Sequence, residues 1–409
     1  MGSLIRISFG RLSGTCKLLN RKNIEFVGLR CISGKTIKLK DPSIVRPAPW
    51  DYKERRYTWF HSLYDKTTSR FDENSKIVIV EGPVAAGKTK FAKTLADELD
   101  MLYMPEANLD MNYINNYGYD LRKLDEQVPE SCRSFDVNNF LLNPQNRLTA
   151  NFQMEQYIVK FSQYIDALAH LLSTGQGVVL DRSVYSDFVF MEAMCKNGYV
   201  SKPARSAYYE LRQNTIEELM RPHLVIYLDV PVPKVLENIK ERSISYEVNS
   251  KVLTPEYLSE METNYKQKYL KEISKHAELL VYDWSEGGDP EVVVEDIERI
   301  DFAATDNPLM KMKDWDFRLE EEWACARNRY ADDKNNIMMM VNIPRFDVPE
   351  FVISHDDYKA YVDALKQAPG EKYQLGYNTD LGDTGLLFKS KLQKRVTLPL
   401  RERRCPDAY

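Results

Sequence analysis

The sequence of 409 residues has no C-x-x-C pair, and its six cysteines (Cys16, Cys31, Cys132, Cys195, Cys325, Cys405) are scattered without framework spacing. That pattern gives no basis for a disulfide scaffold or a structural zinc site and fits reduced thiols. The five histidines (His61, His170, His223, His276, His355) show no metal-ligand spacing and read as packing or surface residues. No apolar run approaches the roughly 20 residues that a bilayer-crossing helix needs. Neither a G-x-G-x-x-G fingerprint nor an iron–sulfur cysteine spacing is there to support redox chemistry. Positive charge is not in excess: the net charge is −5, which argues against a general nucleic-acid binder. What is present is a hydrophobic content of 43%, enough for a buried core. The length allows one large α/β domain with extensions, or two domains.

Charge is unevenly spread. From Met1 to Lys40 stand Arg6, Arg11, Lys17, Arg21, Lys22, Arg30, Lys35, Lys38 and Lys40, against Glu25 alone. An arginine-rich, acid-poor leader of this kind predicts a mitochondrial transit peptide over residues 1–35, removed near Arg30-Cys31-Ile32-Ser33; a disordered basic tail is the alternative. Residues 36–75 read as an extended arm, with Pro42, Pro47 and Pro49 ahead of Trp50, Tyr52, Tyr57, Trp59 and Phe60. Such an aromatic cluster calls for burial across the domain or a neighbour.

Lys76-Ile77-Val78-Ile79-Val80-Glu81 is a short apolar strand that runs into Gly82-Pro83-Val84-Ala85-Ala86-Gly87-Lys88-Thr89, a complete G-x-x-x-x-G-K-[ST] loop. Glycines at both ends let the backbone turn close to a phosphate, so that the N–H groups around Ala85, Ala86 and Gly87 can face its oxygens. Lys88 adds a point charge near the β/γ-phosphates, and the Thr89 hydroxyl is placed to hold Mg²⁺. The helix that follows turns Phe91, Ala92, Leu95, Ala96 and Leu99 to one side, so its positive end faces the loop while that side packs on a sheet.

Over residues 76–300, β-branched runs alternate with helical patterns, which predicts an α/β domain built on a five-stranded parallel sheet covered on both faces. Strands are expected at 76–81, 101–105, 177–181, 224–230 and 278–282. Phe161, Ile165, Leu168 and Leu172 lie on one stripe of a long helix over 152–172, and further helices fall at 202–220 and 254–275. Residues 301–409 form a C-terminal extension for subunit contacts. Within it the pattern predicts a charged, aromatic helix over 313–330, a buried strand or core segment at Ile337–Val341, and a helix over 354–367. A glycine-rich loop spans 369–390. The basic end (Lys389, Lys391, Lys394, Arg395, Arg401, Arg403, Arg404) reads either as a solvated tail or as a contact for acidic neighbours or anionic headgroups.

Three further features stand beside the loop. Glu106 follows the second strand, at the edge where parallel sheets place ligands. Gln153, on the long helix, offers an amide to a base edge. Asp181-Arg182-Ser183 ends the third strand, an acid and a cation where a phosphate would lie. Phosphoryl transfer needs cationic clamps, Mg²⁺ and a carboxylate that takes the acceptor's proton. Lys88, Arg182, Thr89 and either Glu106 or Asp181 can fill those parts. The plain alternatives are a helix cap or ion pair for each acid and an ordinary exposed glutamine for Gln153.

Taken together, residues 76–89, Glu106, Phe152-Gln153, the segment 181–190 and His223-Leu224-Val225-Ile226-Tyr227-Leu228-Asp229 resemble the deoxynucleoside kinase family over residues 76–300. The resemblance implies a three-layer P-loop kinase fold, Glu106 as the base, Gln153 as reader of the nucleobase, and a lid arginine at Arg242. It also implies bound nucleotide with Mg²⁺ at Thr89. The departures are specific. Glu106 is followed by Ala107-Asn108 instead of Pro-Val, and the family's Glu-Arg-Ser is Asp181-Arg182-Ser183. Ser186-Asp187 runs into Phe188 instead of an arginine, and the lid segment Arg242-Ser243-Ile244-Ser245-Tyr246-Glu247 keeps one arginine where kinases carry several basic residues. A lost arginine clamp costs on the order of 10³-fold in rate. With the leader, the arm and the extension, the chain is similar to the branch of that family found as accessory subunits of mitochondrial respiratory complex I. Pro105-Glu106, Ser183–Glu192 and His223–Pro233 carry that likeness. It implies a peripheral, matrix-side subunit without catalysis, resting on the membrane arm among other complex I subunits and serving assembly or stability. An active mitochondrial deoxynucleoside kinase is the other reading. FAD has been ascribed to these subunits, but no motif here supports it.

Overall fold

The computed structural model describes residues 5–7, 45–302, 311–342, 345 and 347–383. Its centre is an all-parallel sheet of β1 (Ile5–Ile7), β2 (Ile77–Glu81), β3 (Leu102–Met104), β4 (Val178–Asp181), β5 (Leu224–Asp229) and β6 (Glu278–Asp283), in the order β1-β6-β5-β2-β4-β3. The last five are the strands expected from the sequence. Every residue of β2, β4 and β5 is buried, as a sheet covered on both faces requires. β1 falls within the stretch read as a leader and pairs with the β6 edge; the rest of residues 1–35 lies outside the described residues.

β2 pairs with β4 on one side and β5 on the other, so successive crossovers leave it in opposite directions. A crevice opens at the carboxyl end of such a strand, and the phosphate loop sits there. The loop leads into α1 (Lys88–Glu98), which buries Phe91, Ala92, Leu95 and Ala96. The long helix α2 (Thr149–Thr174) buries Phe161, Ile165, Leu168 and Leu172 and stops at Gly175, whose φ of +79° suits the left-handed cap. α3 (Phe188–Lys196), α4 (Lys202–Ile216), α5 (Val232–Arg242), α6 (Pro255–Asn264) and α7 (Pro290–Glu298) complete the outer layers. Ser201, Thr254 and Asp289 cap α4, α6 and α7 through their side chains, each just ahead of a proline in the first turn. The helical stretch expected over 254–275 is real but interrupted: a π turn at Tyr265–Tyr269 separates α6 from Leu270–Ile273.

From residue 45 onward the arm lies against the domain. Trp50 N–H donates to Ser173 O at the end of α2, and Tyr57 is buried. Phe60, by contrast, stays exposed. Two expectations for the extension are corrected. The helix placed over 313–330 is a short turn at Lys313–Trp315 followed by α8 (Glu320–Ala331), because Asp316-Phe317-Arg318-Leu319 is not helical. Ile337–Val341 is no strand: Lys334–Met338 is a short helix that continues as a tighter turn through Val341. Ile337 and Met338 point inward while Met339 is 67% exposed, which is helical alternation. α9 (His355–Gln367), capped by Ser354, is where it was expected. The basic end from Lys389 onward lies outside the described residues.

α8 packs against α2 and grips the arm. Arg327 is fully buried there. Its guanidinium stands 3.7 Å from the centre of the Tyr57 ring and 3.1 Å from Asp65, which also holds Arg70 at 2.6 Å. Arm and extension therefore share one polar knot.

Candidate nucleotide site

The loop is shaped by two glycines. At Gly82 a Cβ would stand 2.8 Å from the Leu228 carbonyl oxygen of β5, and Gly87 takes φ +79° as it hands the chain to α1. Ala85 is also left-handed (φ +55°), and Asn238 of α5 donates to its carbonyl at 3.0 Å, a brace that the sequence reading missed. Lys88 Nζ donates to Pro83 O at 2.7 Å, so the lysine lies over the loop it belongs to. Burial and the nearby Arg182 charge lower its pKa to about 8.

Thr89 Oγ1 donates to Asp181 Oδ2 at 2.6 Å, which brings together the two oxygens that the sequence assigned to Mg²⁺ and to the strand-end acid. Asp181 Oδ1 is buried with no hydrogen-bond partner among the described residues. A hydroxyl and a carboxylate with a spare buried oxygen suit a hard divalent cation.

Arg182 follows with φ +62°, a strained geometry for a side chain of this size. That bend carries its guanidinium to Glu106 Oε1 at 2.5 Å and to Gly82 O at 3.1 Å. Burial alone would raise the Glu106 carboxyl, but the charges of Arg182, Lys88 and Lys160 outweigh it and bring it down to about 2. A carboxylate held so strongly ionised is a weak proton acceptor.

Gln153 is not an exposed helix glutamine: it is buried, and its Nε2 donates to Asp187 Oδ2 at 2.8 Å. The same carboxylate receives Lys160 Nζ at 2.7 Å and the Tyr208 hydroxyl at 2.7 Å. Lys160 lies two turns along α2 from Gln153, on the same face. Phe190 sits against both cations, with Lys160 at 4.7 Å and Arg182 at 5.1 Å from its ring centre. Lys160 and Tyr208 were not singled out in the sequence. A charged residue on an otherwise apolar helix face was the only available signal. Arg242 forms its described ion pair with Glu247 at 3.3 Å, within the lid segment itself.

Behind the loop, Glu81 ends β2 fully buried. Ser183 Oγ stands 3.2 Å away, and the hydroxyls of Tyr265 and Tyr269 stand at 3.4 and 3.5 Å. Burial raises its carboxyl to about 7, against the opposing effects of the Ser186 hydrogen bond and the Arg182 and Lys160 charges. Both tyrosines belong to the π turn, an irregularity common near functional sites.

Residues 78–314 match the deoxynucleoside kinase family. The chain belongs to that family. Among its curated relatives, the mouse protein named NADH dehydrogenase [ubiquinone] 1 alpha subcomplex subunit 10, mitochondrial, is 37% identical over 329 residues, covering 80% of this chain and 88% of the relative. The deoxyguanosine kinase of Dictyostelium discoideum is 26% identical over 275 residues, covering 67% of this chain and 86% of that enzyme. A solved structure of deoxyadenosine kinase from M. mycoides with bound dATP aligns at 19% identity and a TM-score of 0.39, over 55% of this chain and 99% of that one. The matches to the mouse subunit and to the Dictyostelium kinase both run over more residues than the family model covers.

Proposed function

We propose that this chain is an accessory, non-catalytic subunit of mitochondrial complex I. It would sit peripherally on the matrix side of the membrane arm, support assembly or stability there, and hold a Mg²⁺-nucleotide without turning it over. The observation that carries the reading is the 37% identity to the mouse complex I subunit over 329 residues, against 26% over 275 residues for the Dictyostelium deoxyguanosine kinase. No helix among the described residues is long and apolar enough to cross a membrane, which agrees with a peripheral position.

Absence of catalysis is supported by three features of the site. Glu106 is clamped by Arg182 and strongly ionised, Asp181 is one methylene shorter than the family's glutamate, and the lid's Arg242 is turned to Glu247. Retention of a nucleotide is supported by the intact loop Gly82–Thr89 and the Thr89–Asp181 pair, which would hold Mg²⁺ against the β/γ-phosphates while Lys88 and Arg182 balance their charge. The second reading, an active mitochondrial deoxynucleoside kinase, rests on that same intact loop and on the kinase relatives.

One experiment separates them. Detergent-solubilised mitochondria are resolved on a native gel and probed for this chain and for NADH dehydrogenase activity, and the purified chain is assayed for phosphoryl transfer to deoxynucleosides. Co-migration without transfer is the expected result. A free pool absent from the large complex, with transfer to a deoxynucleoside, overturns the proposal.

A further inference from the structure

The segment that begins at Glu106, the partner of Arg182, forms a wall packed on α2 beside Gln153. Its inner side is fastened to α2: Asn112 Nδ2 donates to Glu155 Oε2 at 3.0 Å, and Phe135 meets Phe152, the neighbour of Gln153, edge to face at 5.9 Å. Tyr113 ties the two ends of the segment together, since its hydroxyl donates to Phe135 O and accepts from Phe135 N–H.

The outer side of this wall is covered by the C-terminal extension, beyond the part matched to the kinase family. Leu121, Leu124 and Val128 form a second small core with Ala364 and Ala368, separate from the main one. Ser131 Oγ donates to Asp357 Oδ2 at 2.7 Å, and Asn115 Nδ2 donates to Pro369 O at 2.8 Å. The Tyr117 hydroxyl bonds to Asp383 at 2.5 Å while accepting from Gly376 N–H at 2.9 Å. At its near end the extension is anchored to the start of α2, where Arg147 donates to the carbonyls of Pro349 and Val352. One continuous piece of chain therefore runs from the base of α2 over the back of the wall and down to Tyr117.

We infer that residues 349–383 are a strap that clamps the wall 107–135 against α2 and slows exchange of whatever nucleotide lies behind it. A wall joined only by its inner contacts could swing outward on its two ends; the second hydrophobic core and the bonds to Asp357, Pro369 and Asp383 have to break first. Local opening of this kind sets how fast a buried ligand escapes. The device suits a subunit that keeps a ligand for structural reasons and would hinder an enzyme that must release product each cycle. The part concerning exchange rests on the nucleotide-holding reading above; the clamping does not.

The test uses the full chain, a Tyr117→Phe, Asp357→Ala double variant, and two readouts. Hydrogen exchange of amides in 107–135 measures the clamp without any ligand. The dissociation rate of a methylanthraniloyl-labelled dATP with Mg²⁺ measures the gate. The variant is expected to exchange five- to tenfold faster in 107–135, on the order of what one or two lost hydrogen bonds allow. Strands β2 and β5 should stay protected, which shows that the fold is kept. Probe release is expected to quicken by a similar factor. Unchanged protection of 107–135 overturns the strap, and faster amide exchange with unchanged release overturns its role as a gate. If the intact chain binds no probe, the nucleotide reading fails and the exchange data alone decide the clamp.

Discussion

Thr89 and Asp181 are joined by a 2.6 Å hydrogen bond that ties the first turn of α1 to the end of β4. It satisfies the threonine hydroxyl, and on the proposed reading the same two residues would hold the cation of a Mg²⁺-nucleotide. Asp181→Asn keeps the shape and removes the charge. Its affinity for nucleotide in the presence of Mg²⁺ is expected to drop roughly 10–100-fold, as for other groups that support a metal. Affinity with Mg²⁺ chelated should barely change. Equilibrium dialysis across a Mg²⁺ series checks this, and equal losses with and without Mg²⁺ would show that Asp181 does not serve the cation.

Glu81 makes stability depend on pH in a defined window. Its folded pKa of about 7 lies above that of an unfolded glutamate near 4.5. Folding therefore favours the protonated acid. The stability it lends is fully present below pH 4.5 and is lost as pH rises through 7, by about 3 kcal/mol at most. Glu106 works in the opposite sense and lower down: its depressed pKa contributes stability above about 4.5 that is lost as pH falls toward 2. His170, His223 and His276, whose pKa values are lowered by burial, add stability as pH rises through the same range, so the Glu81 effect is read as a difference. In denaturant titrations between pH 5 and 8 the stability of wild type relative to Glu81→Gln should decline as pH rises. Parallel curves would refute a neutral buried Glu81.

Arg327 is the point where the extension holds the arm. Arg327→Leu removes the partner of Tyr57 and one of the two arginines on Asp65, leaving Arg70 to hold that charge. The expected cost is about 2–3 kcal/mol, below the full penalty of an uncompensated buried charge. Limited proteolysis should then cut within 45–75 before it cuts the kinase body. Unchanged resistance of the arm would mean that Trp50 and Tyr57 suffice without the arginine.

The parts of this molecule that could be read from the sequence are those governed by local pattern. β2, β4 and β5 are continuous apolar runs because both faces are covered, and the loop is recognisable because glycine and lysine are needed at fixed spacing. The segment Ile337–Val341 misled because apolar runs of that length suit strand or helix equally, and only the preceding Lys334-Asn335-Asn336 turn decides. Asp187 with Lys160, Gln153 and Tyr208 illustrates the harder case. Its members lie on three different elements, so nothing in their spacing reveals that one buried carboxylate collects all three. The bond from Asn238 to the loop and the strap over Tyr117 are equally non-local.

Lys88 offers the cleanest separation of ligand binding from subunit assembly. Its pKa of about 8 means that part of the population has lost the proton in mildly alkaline solution, and phosphate binding must restore it. Nucleotide affinity is therefore expected to hold steady below pH 8 and to fall by up to about tenfold per unit above it. Lys88→Arg keeps a charge that does not titrate, so the slope above pH 8 should vanish even if affinity is lower throughout. Lys88→Ala should lose nucleotide retention altogether, read by mass spectrometry of ligand released from the denatured protein. In cells lacking the native chain, the same variant should still enter the large NADH-oxidising complex on a native gel if the nucleotide is dispensable for assembly. Failure to enter, with a folded chain, would instead make the bound nucleotide part of the subunit's structure, since the loop joins β2, α1 and α5 and loses its central ligand.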